Sequence, residues 1–165
     1  MKIVINHIEP DINPSTDELA DVIINRMGLM PRKKGSTQDM NKILVELYER
    51  AKTASKDRQP ENAVMTVEEM ALYANITRQT MYDYLRRWID LNLIIKTSYI
   101  KDGKVIIGYK LNGNTLESAY EKSANIIKNN IELTQKYIRE LQKMLKNEKI
   151  SKAQKSKNIV DDDKI

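Results

Sequence analysis

The stretch from Thr66 to Leu111 constrains this chain more than any other. Thr66-Val-Glu-Glu69 is a capping box, in which a Thr hydroxyl takes orphan backbone N–H groups and a Glu reaches back. The helix it opens buries Val67, Met70 and Ala71 and ends at Asn75. Thr77 caps a second helix after a turn of only two or three residues. Met81, Leu85, Trp88 and Leu91 recur on that helix at apolar helical spacing, with Ile76 just ahead. Asn92 suits the left-handed position beyond a helix end that Gly often fills. Ile94 to Ile100 then alternates in β-rich residues, and Lys101-Asp-Gly-Lys104 is a hairpin turn. Val105, Ile107, Tyr109 and Leu111 are expected on the inward face of the return strand.

Upstream, Ile3, Ile5 and His7 alternate with polar or smaller residues, which predicts a short strand over Met1 to Ile8. His7 is the only His and reads as a surface or packing residue, since ligand sets need partners. Pro10 and Pro14 break any helix there. Ser15-Thr-Asp-Glu18 is a second capping box, opening a helix with Leu19, Val22, Ile23 and Met27 that stops near Gly28. Pro31-Arg-Lys-Lys-Gly35 reads as a solvated basic linker, with a course along a phosphate backbone or minor groove as the alternative. Ser36 or Thr37 is expected to cap the next helix, where Met40, Ile43, Leu44, Leu47, Tyr48 and Ala51 fit the helical template. A polar segment from Lys52 to Asn62 follows, then Ala63-Val-Met65, suited to a small edge strand beside the hairpin.

Asn114-Thr-Leu-Glu117 is expected to cap a last helix that no Pro or Gly interrupts as far as Lys149. Tyr120, Ala124, Ile127, Ile131, Thr134, Ile138, Leu141 and Leu145 alternate at spacings of four and three, a heptad seam with only Thr134 polar. Ile126, Leu133, Tyr137 and Met144 widen the stripe. A helix of roughly 50 Å cannot bury such a stripe on a small domain alone, so a homodimer paired through this helix is expected. The domain plan is therefore an N-terminal extension with one helix (1–35), a central domain (36–113), a long dimerisation helix (114–150) and a flexible charged tail (151–165).

Bulk properties narrow the function classes. The 165 residues include no Cys, so there is neither a disulfide nor a thiolate metal site. One His leaves no multi-His metal site and no His-based triad within one chain. No apolar run approaches the roughly 18 residues of a membrane helix, and the N-terminus lacks a long signal-type apolar core, so a cytoplasmic protein is expected. The net charge of +5 is mild, but residues 77–114 carry seven basic and three acidic groups, a local +4.

Helix, tight turn and second helix together form a helix-turn-helix signature. Residues 66–111 resemble the winged-helix family of bacterial and archaeal transcription regulators, through Ile76-Thr-Arg-Gln-Thr-Met-Tyr-Asp-Tyr-Leu-Arg-Arg-Trp-Ile-Asp-Leu-Asn-Leu-Ile-Ile95. Thr80–Met81, Leu85, Trp88 and Leu93–Ile94 stand where the family places its Thr–aliphatic pair, its Leu, a second apolar residue and a Gly-Leu-Ile exit. Asn92 replaces the usual Gly and Trp88 the usual aliphatic residue, which leaves the subfamily unassigned. The resemblance implies a mainly α fold with a small β-hairpin (α+β), a winged helix-turn-helix followed by a long dimerisation helix. It also implies sequence-specific binding of double-stranded DNA. Arg78, Gln79, Thr80 and Tyr82 would read or approach bases, since Arg suits guanine and Gln adenine. Arg86, Arg87 and Lys96 would hold phosphates, and Lys101 and Lys104 the backbone or minor groove. Asp83 would pair with Arg87 or accept from a base edge. Trp88 reads as core rather than as the wall of an effector pocket. The rival class is a winged-helix protein-interaction module, a non-catalytic subunit of a larger assembly. No phosphate loop, nucleophile–base pair, metal cluster or paired carboxylates suggest an enzyme or a cofactor, and Asp161-Asp-Asp163 has no rigid frame.

Overall fold

The computed structural model describes residues 4–30 and 39–162 and is mainly helical, with one antiparallel hairpin. In chain order the elements are α1 (Thr16–Arg26), α2 (Met40–Asp57), a short 3-10 turn (Pro60–Ala63), α3 (Val67–Tyr73), α4 (Arg78–Asp90), β1 (Ile94–Lys101), β2 (Lys104–Leu111) and α5 (Leu116–Asp162). Two compact units divide the chain, Met1–Ile126 and Ile127–Ile165. The basic linker at 31–35 and the caps at Ser36 and Thr37 lie outside the described residues.

Local chemistry sets most helix starts. Thr66 makes both halves of its capping box, accepting from the Glu69 N–H while the Glu69 carboxylate accepts from its own N–H. The Thr77 hydroxyl accepts from the Thr80 N–H and opens α4. Ser15 caps α1, but the Glu18 carboxylate turns outward and accepts from the Asp11 N–H at 3.1 Å, so that box is half closed. The last helix starts one residue later than expected. Thr115, not Asn114, accepts from the Ser118 N–H, and Ser118 returns the bond to the Thr115 N–H.

Three helices stop by one device. Gly28, Asn75 and Asn92 take positive φ (66°, 53° and 55°). In each case the next N–H reaches back five residues: Leu29 to Ile24, Ile76 to Ala71 and Leu93 to Trp88. The residue making that bond is apolar each time and folds into or against the core. After α2, Gln59 reaches back to Ala54 in the same way, with Arg58 at φ 55°.

The first unit has one core. Met40, Ile43 and Leu47 of α2, Met70 of α3, Met81, Leu85 and Trp88 of α4, and Ile94 of β1 are all fully or almost fully buried there. Trp88 is 0% exposed, as its place on the apolar stripe implies, and its indole N–H has no partner among the described residues. The apolar face of α1 differs from the expected one. Val22 and Met27 are buried as expected, but Leu19 and Ile23 are exposed, and Ala20 and Ile24 are buried in their place. Two apolar stripes overlap on this helix, and the one containing Ile24 faces the core, where Ile24 packs with Met27 and Leu29. Val4 to Ile8 forms no strand. The Asn6 N–H donates to the Arg26 carbonyl, and Arg26 donates to the Ile8 carbonyl, which ties the segment across the end of α1. His7 is exposed.

The hairpin pairs Ile94 with Leu111 at its root and Lys101 with Lys104 at its tip. Asp102 and Gly103 both take positive φ, the conformation a two-residue turn demands. Met65 forms the expected edge pairing, exchanging two backbone bonds with Tyr109. Gly108 permits it, since a Cβ there would stand 2.4 Å from Val64 Cγ1 and 2.6 Å from the Met65 carbonyl oxygen. The return strand's inward face is only half inward. Tyr109 and Leu111 are buried, but Val105 and Ile107 are exposed because the strands outrun the core toward the tip.

The opening turns of α5 belong to the first unit, burying Ala119 and Ser123 completely. In the second unit α5 continues through Asp162 rather than ending near Lys149 in a flexible tail. Residues 150–162 contain neither Pro nor Gly to stop it. Ile131, Ile138, Leu141 and Leu145 of the seam are all more than half exposed. No helix among the described residues is long and apolar enough to cross a membrane.

Candidate nucleic-acid interface

The α3–α4 turn and the hairpin bring the candidate residues to one region of the first unit. Asn75 reverses the chain in the left-handed conformation, and Thr77 restarts it as α4. A cleft of about 350 Å³ lies where the start of α4 meets the hairpin and the start of α3. Arg78 and Tyr82 of α4, Glu68 of α3 and Lys96 of β1 line it, with Ile107 and Tyr109 of β2. Burial, and then neighbouring Tyr82, push the Tyr109 phenol above its usual range, so it stays protonated.

Arg78 is held in place. Its guanidinium donates to the Tyr82 hydroxyl at 3.2 Å and lies 5.6 Å from that ring's centre. Its Nε pairs with Glu68 at 3.1 Å. The Tyr82 hydroxyl and the Glu68 carboxylate both favour the charged form and raise its pKa further. Both partners in the ion pair are more than half exposed, so an incoming anion could exchange for Glu68 at little cost. Glu68 was not among the expected site residues. Its position in the first turn of α3 gave no sign that a fold contact would set it beside Arg78.

The other candidates separate into three groups. Gln79 and Arg86 lie exposed on the outer face of α4, together with Asp83. Lys101 and Lys104 face each other across the hairpin tip, exposed. Thr80 and Arg87 make contacts within the fold. The Thr80 hydroxyl meets the Thr77 hydroxyl at 2.9 Å within the helix cap. Arg87 donates to the Met30 carbonyl at 3.1 Å and the Gly28 carbonyl at 3.5 Å, and pairs with no Asp83 carboxylate among the described ion pairs. Both bonds come from one terminal nitrogen, so the half-buried guanidinium ties α4 to the chain after α1 and keeps N–H groups over for another partner. Of the expected cations, Arg86, Lys96, Lys101 and Lys104 have no ion pair among the described residues, Arg78 pairs with Glu68, and Arg87 is bonded to backbone carbonyls. Among the described residues no cluster of three or more acidic or His side chains could hold a metal ion.

Comparison with known proteins finds no matching family model, no similar curated protein and no matching solved structure.

Proposed function

We propose that the first unit is a winged helix-turn-helix that binds duplex DNA in a sequence-specific way, acting as a homodimeric transcription regulator paired through α5. In this reading α4 is the recognition helix, lying in the major groove with its N-terminal residues at base edges, and the hairpin is the wing on the backbone or minor groove. The observation that carries the reading is the juxtaposition of the first turn of α4 with the hairpin, with Arg78 and Lys96 in one cleft. Arg78 stacked on Tyr82 is pre-oriented to reach a guanine edge. Arg86 and Lys96 would hold phosphates, and Lys101 and Lys104 would follow the backbone from the wing tip.

A protein-interaction module is the second reading, and a specific feature favours it. Ile100 and Val105 face each other across the hairpin tip, 76% and 66% exposed, beside exposed Ile107. An apolar tip of this kind suits a protein surface, although apolar side chains also wedge into minor grooves.

Titrating the full chain with random duplex DNA separates the two. The DNA reading expects a retarded complex at about 50 mM salt that weakens by orders of magnitude toward 200 mM, as counterion release dictates. No complex at the lower salt would transfer the case to the interaction module. Selection from a random duplex pool then tests specificity, and a dimer should enrich a near-palindromic site.

A further inference from the structure

We infer that a second cleft, at the root of the hairpin, binds a small phosphorylated molecule of nucleotide size. This cleft measures about 530 Å³ and is formed by the end of α2, the 3-10 turn, the hairpin root and the chain entering α5. Its volume lies within the range of roughly 300–1,000 Å³ typical of small-molecule sites. Ile95 and Lys110, which pair across the hairpin, line it, whereas their neighbours Lys96 and Tyr109 line the Arg78 cleft. Adjacent strand residues point to opposite faces, so the two clefts are separate sites.

Its charge is one-sided. Arg58, Lys110 and Lys122 line the cleft, and no Asp or Glu does. Neither Arg58 nor Lys110 makes an ion pair among the described residues. Lys122 is positioned by neutral oxygens alone, donating to the Asn112 carbonyl and to Asn112 Oδ1 at 3.0 Å. Three cations gathered without a counter-charge repel one another, and an anion among them relieves that repulsion.

Arg58 supplies a separate observation. The other helix stops of the first unit place Gly28, Asn75 and Asn92 in the left-handed conformation, residues that adopt it readily. Each is followed by an apolar residue that locks into or against the core. At the end of α2 an Arg takes that conformation, and polar Gln59 follows it. A long side chain here costs folding stability that Gly would have saved. What the chain gains is a guanidinium at the mouth of the cleft. The cleft is also lined by small or apolar side chains, Ala51, Ala54, Ala63 and Leu111, which are largely buried at its floor. Cations for phosphate oxygens beside an apolar floor for a planar or apolar body match a nucleotide-like ligand.

The test titrates the full chain with ATP and with inorganic pyrophosphate by calorimetry, and in parallel with random duplex DNA. Both small probes should bind the wild type. Arg58→Gly and the double variant Lys110→Gln/Lys122→Gln should each weaken them at least tenfold. Without ligand, Arg58→Gly should melt at the same or a higher temperature, so its loss of binding cannot be ascribed to unfolding. Duplex affinity should stay within about threefold in both variants. The inference is overturned if neither probe binds at millimolar concentration, or if the variants bind as the wild type does. It is also overturned if the variants lose duplex binding while the small probes bind nothing, since the cations would then serve DNA phosphates.

Discussion

Single side chains decide how the first unit holds together, and Arg50 is the clearest case. From α2 it donates to Glu46 at 2.7 Å, to the Val64 carbonyl at 2.9 Å, and through two nitrogens to the Glu69 carboxylate at 3.2 and 3.4 Å. One guanidinium therefore joins α2, the edge segment and the capping box of α3. Truncating it strands charge-assisted bonds in a half-buried setting, so Arg50→Ala should lose about 2 kcal/mol in a denaturant titration. Burial pushes the Glu69 carboxyl up, but the Thr66 N–H and the Arg50 guanidinium outweigh it and hold the group below its usual range. A depressed carboxylate gives stability that is complete above its unfolded value and lost as pH falls through its folded value. The wild type should therefore lose stability on acidification below the ordinary carboxylate range, and Glu69→Gln should flatten that slope. Arg87 shows what a sequence hides at this scale. Its spacing along α4 allowed a phosphate clamp, yet its partners are the carbonyls of Gly28 and Met30, far away in the chain. Arg87→Ala should lower the melting temperature, by an amount equivalent to about 1–2 kcal/mol, a loss that a purely solvated phosphate clamp would not produce.

Elements were legible where local chemistry settles them. The caps at Ser15, Thr66 and Thr77, the left-handed stops at Gly28 and Asn92, and the Asp102–Gly103 turn all need only neighbours in sequence. Tertiary contacts decided the rest. The inward face of α1 depended on how its end meets the core, because stripes through Leu19–Ile23 and Ala20–Ile24 are both apolar. Alternation along β2 could not show where the core ends, so Val105 and Ile107 read as buried. The candidate interface was legible in the same measure: Arg78, Tyr82 and Lys96 do share a cleft, but the Glu68 carboxylate beside them belongs to another helix. That carboxylate makes a testable point about α4 in the DNA reading. Glu68 repels phosphate and occupies Arg78, so Glu68→Gln should tighten binding to random duplex a few-fold at low salt. Arg78→Ala should broaden the selected site, while Arg86→Ala should lower affinity evenly across sequences and reduce the salt dependence by about one phosphate contact. Equal and sequence-independent losses for both would remove Arg78 from base recognition.

At the scale of the whole molecule the question is what covers α5. Ile131, Ile138, Leu141 and Leu145, with Leu133, Tyr137 and Met144 alongside, leave a continuous apolar stripe in contact with water in a single copy. In the proposed dimer this stripe is the interface, and its alternating four-and-three spacing suits a second helix of the same kind. If the proposed dimer and DNA reading hold, replacing Ile131 and Ile138 with Asp should leave a monomer of 19.2 kDa in sedimentation and weaken duplex binding. A double variant that still sediments as a dimer would remove the seam assignment. Thr134 allows a sharper test, because it is the seam's only polar residue. Its hydroxyl donates to the Asn130 carbonyl at 2.8 Å, within its own helix. No partner is needed to satisfy it, and in the proposed dimer its methyl group would be left for the facing helix. An Ile at this position would keep that contact and add apolar surface worth about 1 kcal/mol per chain. If the seam is the dimer interface, Thr134→Ile should let the dimer persist to a several-fold lower protein concentration in sedimentation. A helix that met a different partner, or none, would gain nothing that depends on concentration.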